Sequence, residues 1–230
     1  MEITISTQKL IRVLAVVVIL LTLVNLAGQI SRYYLGHGRL FGLVDIFDTD
    51  REGNVPAWYS SATLLVCSIL LALIASARKA NGVSLWHYWL GLSVIFLFLS
   101  LDEGASIHEV AILPLREYLH AGSYLYFTWV VLGIGFVVVF LLTYFRFIVD
   151  LPPPTRGQFL VAGTFYLSGT IGMELLGGDY AFRHSTENMT YVLITTIEEF
   201  LEMVGILLFI YALMTYIGSR HVEFRFRITE

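Results

Sequence analysis

Residues 100–109 are Ser-Leu-Asp-Glu-Gly-Ala-Ser-Ile-His-Glu, and they follow directly on an apolar run from Trp86 to Leu99. No proline separates the two stretches, so we expect the acidic stretch to form the last turns of a membrane-spanning helix. An ionisable side chain at membrane depth is costly unless it is paired, hydrated or bound to a cation, so it is a functional-site candidate. At about 100° per residue, Asp102, Ser106 and Glu109 are predicted to share one face of this helix.

Two further apolar runs carry carboxylates. Glu198, Glu199 and Glu202 lie inside the run from residue 191 to 217, and with Thr195 they are predicted to share one helical face. Glu174 lies near the end of the run 159–176. Three separate helices are therefore predicted to bring acidic side chains to one place.

The composition is typical of a polytopic membrane protein. The chain has 230 residues, of which 57% are hydrophobic and 14% charged, and its mean hydropathy is +0.76. A single cysteine, Cys67, excludes an intramolecular disulfide. The chain contains no basic stripe and no nucleic-acid-binding motif, so nucleic acid is not an expected partner.

Six apolar runs are each close to or above the roughly 20 residues needed to span the hydrocarbon core of a bilayer. They predict one all-α domain, residues 1–230, that forms a bundle of six transmembrane helices. The predicted helices are 10–30, 58–77, 85–113, 124–149, 159–176 and 191–217.

Basic residues predict the orientation of this bundle. With a cytoplasmic N-terminus, nine of the 14 Lys and Arg residues fall on the inner side, which favours an N-in, C-in protein of the bacterial inner membrane. The acids are distributed in the opposite way, with 14 of the 18 Asp and Glu residues on the outer side or in the outer half of the helices. The outer half is therefore predicted to hold positive charge.

The loop before the second run allows two interpretations. Asp48, Asp50 and Glu52, followed by Gly53, match the first half of a calcium-binding loop. Tyr59 stands where such a loop has its bidentate glutamate. The alternative is a loop of Asx turns that caps the helix starting near Trp58.

The predicted metal ligands are Asp102, His108, Glu109, Glu174, Glu198, Glu199 and Glu202, and the predicted supporting residues are Ser106, Thr195 and His184. A carboxylate-rich site with one or two histidines suits zinc, iron or manganese, whereas an all-oxygen site suits calcium. The Glu-x-x-His pairs of di-iron carboxylate bundles are absent from the sequence, which disfavours a di-iron oxidase.

Three functions fit this pattern. The first is a metal-dependent membrane enzyme that acts on a lipid-like substrate. The second is a cation- or proton-coupled transporter or channel, which at six helices we would expect to be a homo-oligomer. The third is a non-catalytic subunit of a larger membrane complex. A retinal protein is excluded, because the only lysines, Lys9 and Lys79, lie at predicted inner helix ends.

Overall fold

The computed structural model describes residues 6–36 and 42–219 of the chain. Its α-helices are α1 (Thr7–Tyr34), α2 (Leu43–Phe47), α3 (Val55–Ala80), α4 (Trp86–Ala105), α5 (Ile112–Leu119), α6 (Trp129–Asp150), α7 (Pro153–Leu167), α8 (Glu174–Arg183) and α9 (Met189–Ser219). Short 3-10 turns cover His108–Ala111 and Ser123–Leu125, and a π-helical segment, Ser168–Met173, joins α7 to α8.

Six helices are long and apolar enough to cross a membrane when α7, the π segment and α8 are counted as one span, Pro153–Arg183. The prediction of an all-helical protein with six such helices is confirmed, and the result indicates a multi-pass membrane protein. This fifth span is much longer than the predicted 159–176, because Pro153 and Pro154 fit the first turn of a helix and the π segment lets the helix continue past Gly172.

The loop before α3 is held by Asn54. Its Oδ1 accepts from the N–H of Ala57 at 3.0 Å and caps α3, while its Nδ2 donates to the carbonyls of Asp48 and Arg51 at 2.6 and 2.7 Å. The N–H of Asp50 donates to Asp48 Oδ1 at 3.3 Å, which is an Asx turn. The structure thus confirms the capping loop, although α3 begins at Val55 rather than near residue 58.

Helix α4 ends earlier than predicted. It stops at Ala105, and Ser106 adopts a left-handed conformation with a φ of 53°. The carboxylate of Asp102 then accepts from the N–H of His108 at 2.8 Å and caps the following 3-10 turn. Such side-chain bonds to nearby backbone compete with helix continuation. Asp102, Ser106 and Glu109 consequently do not share one helix face.

Helices α3 and α4 form an antiparallel hairpin with reciprocal serine bonds. Ser61 Oγ donates to the carbonyl of Ser100 at 2.7 Å, and Ser100 Oγ donates back to the carbonyl of Ser61 at 2.8 Å. Ser68 and Ser93 repeat the arrangement with both distances at 2.8 Å. Small polar residues allow this close approach of two apolar helices.

Helix α9 occupies the centre of the bundle and packs on α1, α3 and α7. A Cβ atom added at Gly205 would lie 2.6 Å from the backbone nitrogen of Tyr166, and one added at Gly169 would lie 2.7 Å from the carbonyl oxygen of Glu198. The α7–π segment and α9 are therefore in direct backbone contact. Gly163, by contrast, has no atom within 4 Å of an added Cβ.

Candidate functional site

Carboxylates from five parts of the chain meet at the end of the bundle where α4 ends and α3 and α9 begin. We call the group the acidic cluster. It consists of Asp50, Glu52, Asp102, Glu103, His108, Glu109, Glu174, Glu198, Glu199 and Glu202, which interact with one another electrostatically or through hydrogen bonds.

His108 is fixed on both of its ring nitrogens. Its Nδ1 lies 3.0 Å from Asp102 Oδ2, its Nε2 lies 3.7 Å from Glu52 Oε1, and its ring packs against Trp129 with centroids 4.8 Å apart. Burial acts to lower the pKa of His108, but the hydrogen bond and charge of Asp102 and the charge of Glu52 outweigh it and raise the pKa. An imidazole whose Nδ1 is held by a carboxylate presents Nε2 as a metal ligand.

Glu52, His108 and Glu109 form the rim of the cluster. Each offers one ligand atom, and these atoms all lie within 4.8 Å of one another. In a tetrahedral zinc site the ligand atoms lie about 2.0–2.1 Å from the ion and about 3.3 Å from one another, so an ion needs an inward movement of these side chains by up to about 1.5 Å. One oxygen of Glu52, Oε2, is buried and has no hydrogen-bond partner. Burial and the charges of Glu109 and Asp102 raise the pKa of Glu52 to about 7, against the opposing effect of His108.

Glu174 links α8 to α6 and α9. Its Oε1 accepts from the indole N–H of Trp129 at 2.6 Å, and its carboxyl group lies beside that of Glu198. Glu174 follows directly on the π segment, and π-helical turns are frequent at functional sites.

The deepest members of the cluster lie on α9 and α4. Glu202 lies beside Thr170 in the π segment and close to Glu103. Glu199 interacts electrostatically with Glu103 and Glu202, and more weakly with Asp50 and Glu52. One face of α9 thus meets the end of α4.

Basic partners for these deep carboxylates are absent from the described part of the chain. No arginine or lysine there forms an ion pair with Glu103, Glu174, Glu198, Glu199 or Glu202. Several carboxylates crowded in a low-dielectric site cannot all be ionised unless a positive charge is present. They either share protons or hold a cation.

The loop carboxylates point to different partners. Asp48 Oδ2 lies 3.4 Å from Arg51 Nε and 3.9 Å from Arg32 Nη1, whereas Glu52 faces His108. Asp50 lies beside Tyr191; although part of Asp50 faces solvent, the protein atoms packed around it and the charges of Asp48 and Glu174 raise its pKa to about 7. The three acids do not surround one point, and the calcium loop stays a prediction.

Among the described residues, none of those predicted to support the ligands forms a side-chain hydrogen bond to a ligand. Thr195 is buried and donates to the carbonyl of Val192 in its own helix at 3.2 Å. His184 is exposed and stacks on Tyr180. Ser106 provides the left-handed turn after α4.

Sequence reasoning missed Glu103, Trp129 and Tyr191. Glu103 lies outside the predicted face of Asp102, Ser106 and Glu109, which assumed a helix that continues past residue 105. The signal was nevertheless present, because Phe96 and Leu99 precede Glu103 at helical spacing and line the same side of α4.

An apolar cavity of about 340 Å³ adjoins the acidic cluster. It lies between α4, α6, α7 and α9, and its walls include Phe96, Phe140, Phe159 and Phe209. Trp129, Tyr166 and Thr170 line its end nearest the cluster. Since Trp129 also donates to Glu174 and Thr170 also lies beside Glu202, the cavity and the cluster share walls.

A family model described as a domain of unknown function, DUF8692, matches residues 10–217 of the chain. No curated protein and no solved structure matches the chain.

Proposed function

The chain belongs to the DUF8692 family, and from this premise we propose that it is a membrane enzyme that uses a divalent cation to act on a lipid-like substrate. The observation that carries the proposal is the position of the acidic cluster, which lacks basic partners among the described residues and shares walls with an apolar cavity. A cation offsets the crowded negative charge, and the cavity suits the apolar part of a lipid.

We assign the ligands from the geometry. Nε2 of His108 and the carboxylates of Glu52 and Glu109 support a rim position, with Asp102 orienting the imidazole. The deep carboxylates, Glu103, Glu174, Glu198, Glu199 and Glu202, support a second position or accept protons. A mostly carboxylate set with a single imidazole favours manganese, iron or zinc.

A divalent ion in such a site polarises a carbonyl or phosphoryl oxygen and activates a bound water. The protein supplies proton acceptors beside it. Glu174 is the best placed of these, because its carboxyl group lies beside that of Glu198 and is oriented by Trp129.

We place the protein in the bacterial inner membrane with the N- and C-termini inside and the acidic cluster in the outer half. Support comes from the nine-to-five distribution of basic residues along the sequence.

The transporter hypothesis needs a polar path to the other end of the bundle. The buried side chains that follow Glu202 along α9 are apolar over the next three turns: Met203, Ile206, Phe209, Ile210 and Leu213. This favours an enzyme whose site opens at one end.

Elemental analysis of the purified protein tests the proposal. We expect about one equivalent of transition metal per chain in the wild type and a several-fold loss in the double variant Glu52→Gln/Glu109→Gln, which removes two of the three rim ligands and keeps side-chain size. Glu117→Gln is the matched control, because Glu117 lies exposed on α5 outside the cluster.

Two results would overturn it. One is a metal-free wild type whose cation or proton flux in liposomes is abolished by the double variant, which supports transport. The other is a metal-free wild type that the variant merely releases from a larger complex, which supports a subunit role.

A further inference from the structure

The apolar cavity is long and narrow. Trp129 lines one end and Phe147 the other, and their separation of 18 residues along α6 corresponds to about 27 Å at 1.5 Å per residue. A volume of about 340 Å³ spread over this length leaves the width of one extended chain. Two packed helices need 8–10 Å between axes, so a partner helix does not fit.

The cavity opens sideways toward the lipid. Phe136, Leu141 and Leu160 line it and are also 47%, 50% and 53% exposed on the surface of the bundle. They lie on α6 and α7, which are consecutive in the chain and yet make little close backbone contact with each other. The gap between these two helices is therefore an entrance from the bilayer.

The two ends of the cavity differ in chemistry. The far end is enclosed by aromatic rings, where Tyr144 packs edge-on against Phe147 with centroids 5.9 Å apart. The near end reaches Trp129, which donates to Glu174, and Thr170, which lies beside Glu202 in the acidic cluster. An amphiphile with an apolar tail and a head group rich in oxygen matches this polarity.

We propose that the cavity seats one acyl tail of a membrane lipid, which enters between α6 and α7 and presents its ester or phosphate oxygens to the cation at the acidic cluster. A cavity with the width of one extended chain fits an unbranched tail, so the substrate class is a lipid with an unbranched acyl chain. The inference rests on the proposed function for the role of the head group.

Gly163 provides a direct test. It lines the cavity, and no atom lies within 4 Å of a Cβ added there, so Gly163→Leu fills the channel without a backbone clash. Gly135 on α6 has the same open surroundings but does not line the cavity, which makes Gly135→Leu the matched control.

Native mass spectrometry and lipid extraction of the detergent-purified protein measure the bound lipid. We expect about one diacyl lipid per chain in the wild type and in Gly135→Leu, and at least a fivefold loss in Gly163→Leu with its metal content unchanged. Equal lipid in all three proteins overturns the inference. If the wild type contains no metal but binds lipid that Gly163→Leu removes, the proposed function is overturned and the acyl site still holds.

Photolabelling of the wild type in vesicles keeps the test decisive if Gly163→Leu fails to fold. A phospholipid that carries a photoreactive group in its acyl chain should label Phe140 and Leu160, which line the cavity. Label confined to Leu142 and Phe145, which are 78% and 65% exposed on the outer face of α6, would overturn the inference. A second copy of the chain crosslinked through the gap between α6 and α7, in place of lipid, would also overturn the inference.

Discussion

The indole N–H of Trp129 lies 2.6 Å from Oε1 of Glu174, and the same ring lines the apolar cavity. One residue therefore contacts both the site proposed for the lipid tail and the carboxylates proposed for its head group. The position of Trp129 at the first turn of α6 places this contact at the boundary between them.

Trp129→Phe should weaken metal binding while leaving lipid binding intact. Phenylalanine keeps an aromatic ring against the cavity but removes the hydrogen bond to Glu174, and loss of such a supporting contact typically reduces metal affinity about 10-fold. Competitive metal titration measures the affinity. Trp58→Phe is the control, since Trp58 is 71% exposed. Equal affinities in the two variants would show that Trp129 does not orient Glu174.

Asp102→Asn should impair the metal site through His108. The amide can still accept the N–H of His108 and preserve the turn, but it no longer favours the imidazole with a proton on Nδ1. We expect metal affinity to fall by about 10- to 100-fold with little change in melting temperature. An affinity equal to that of Glu117→Gln would exclude the orienting role.

Gly205→Ala should be severely destabilising, because its Cβ would lie 2.6 Å from the backbone nitrogen of Tyr166 and neither helix can yield cheaply. Gly135→Ala should instead be neutral or stabilising by about 0.5–1 kcal/mol, since alanine favours a helix and finds open space. Thermal unfolding in detergent compares the two variants. A similar melting temperature for both would contradict the backbone contact between α7 and α9.

Ser68→Ala and Ser93→Ala should be coupled. Each removes one of two reciprocal hydrogen bonds, and interhelical bonds of this type are worth about 0.6 kcal/mol on average in membrane proteins. A double-mutant cycle on the free energy of unfolding measures the coupling. Strictly additive effects of the two substitutions would show that the pair contributes packing alone.

Metal-free protein should lose stability as pH rises toward 8. The pKa of Asp50 is raised from 3.8 to about 7 in the folded chain, so the folded state binds more protons than the unfolded state. The stabilisation that comes from the proton bound by Asp50 is fully present below about pH 4. It is lost as the pH rises through the pKa of Asp50 in the folded chain. The raised pKa of His108 acts in the same direction.

We therefore expect a higher melting temperature at pH 5 than at pH 8, and a smaller difference in Asp50→Asn. An unchanged difference in that variant would show that Asp50 does not titrate in this range.

Hydrophobicity alone predicted much of the fold. The six membrane-length helices follow from apolar runs of sufficient length, since an apolar segment buries its backbone polar groups most easily as a helix. The turn at Ser106 was not predictable, because it depends on the contact between Asp102 and His108 across six residues. Helix periodicity treats these positions as one continuous face.

The candidate site was partly predicted. The carboxylates on α9 and Glu174 converge as their positions along the apolar runs suggested. Glu103 was missed because the predicted face was defined by Asp102, Ser106 and Glu109, and the pairing of Asp48 with Arg51 depends on the fold of the loop around Asn54. The cavity could not be predicted from the sequence, because it arises from the separation of α6 from its neighbouring helices.

The two serine pairs also bear on biosynthesis. Their members are seven residues apart on each helix, so an alternative hairpin that matched Ser61 with Ser93 would leave Ser68 and Ser100 with no opposite hydroxyl. A misaligned hairpin would thus expose unpaired serine hydroxyls to hydrocarbon, which is energetically unfavourable. The correct pairing is therefore favoured in the nascent chain before α9 is inserted.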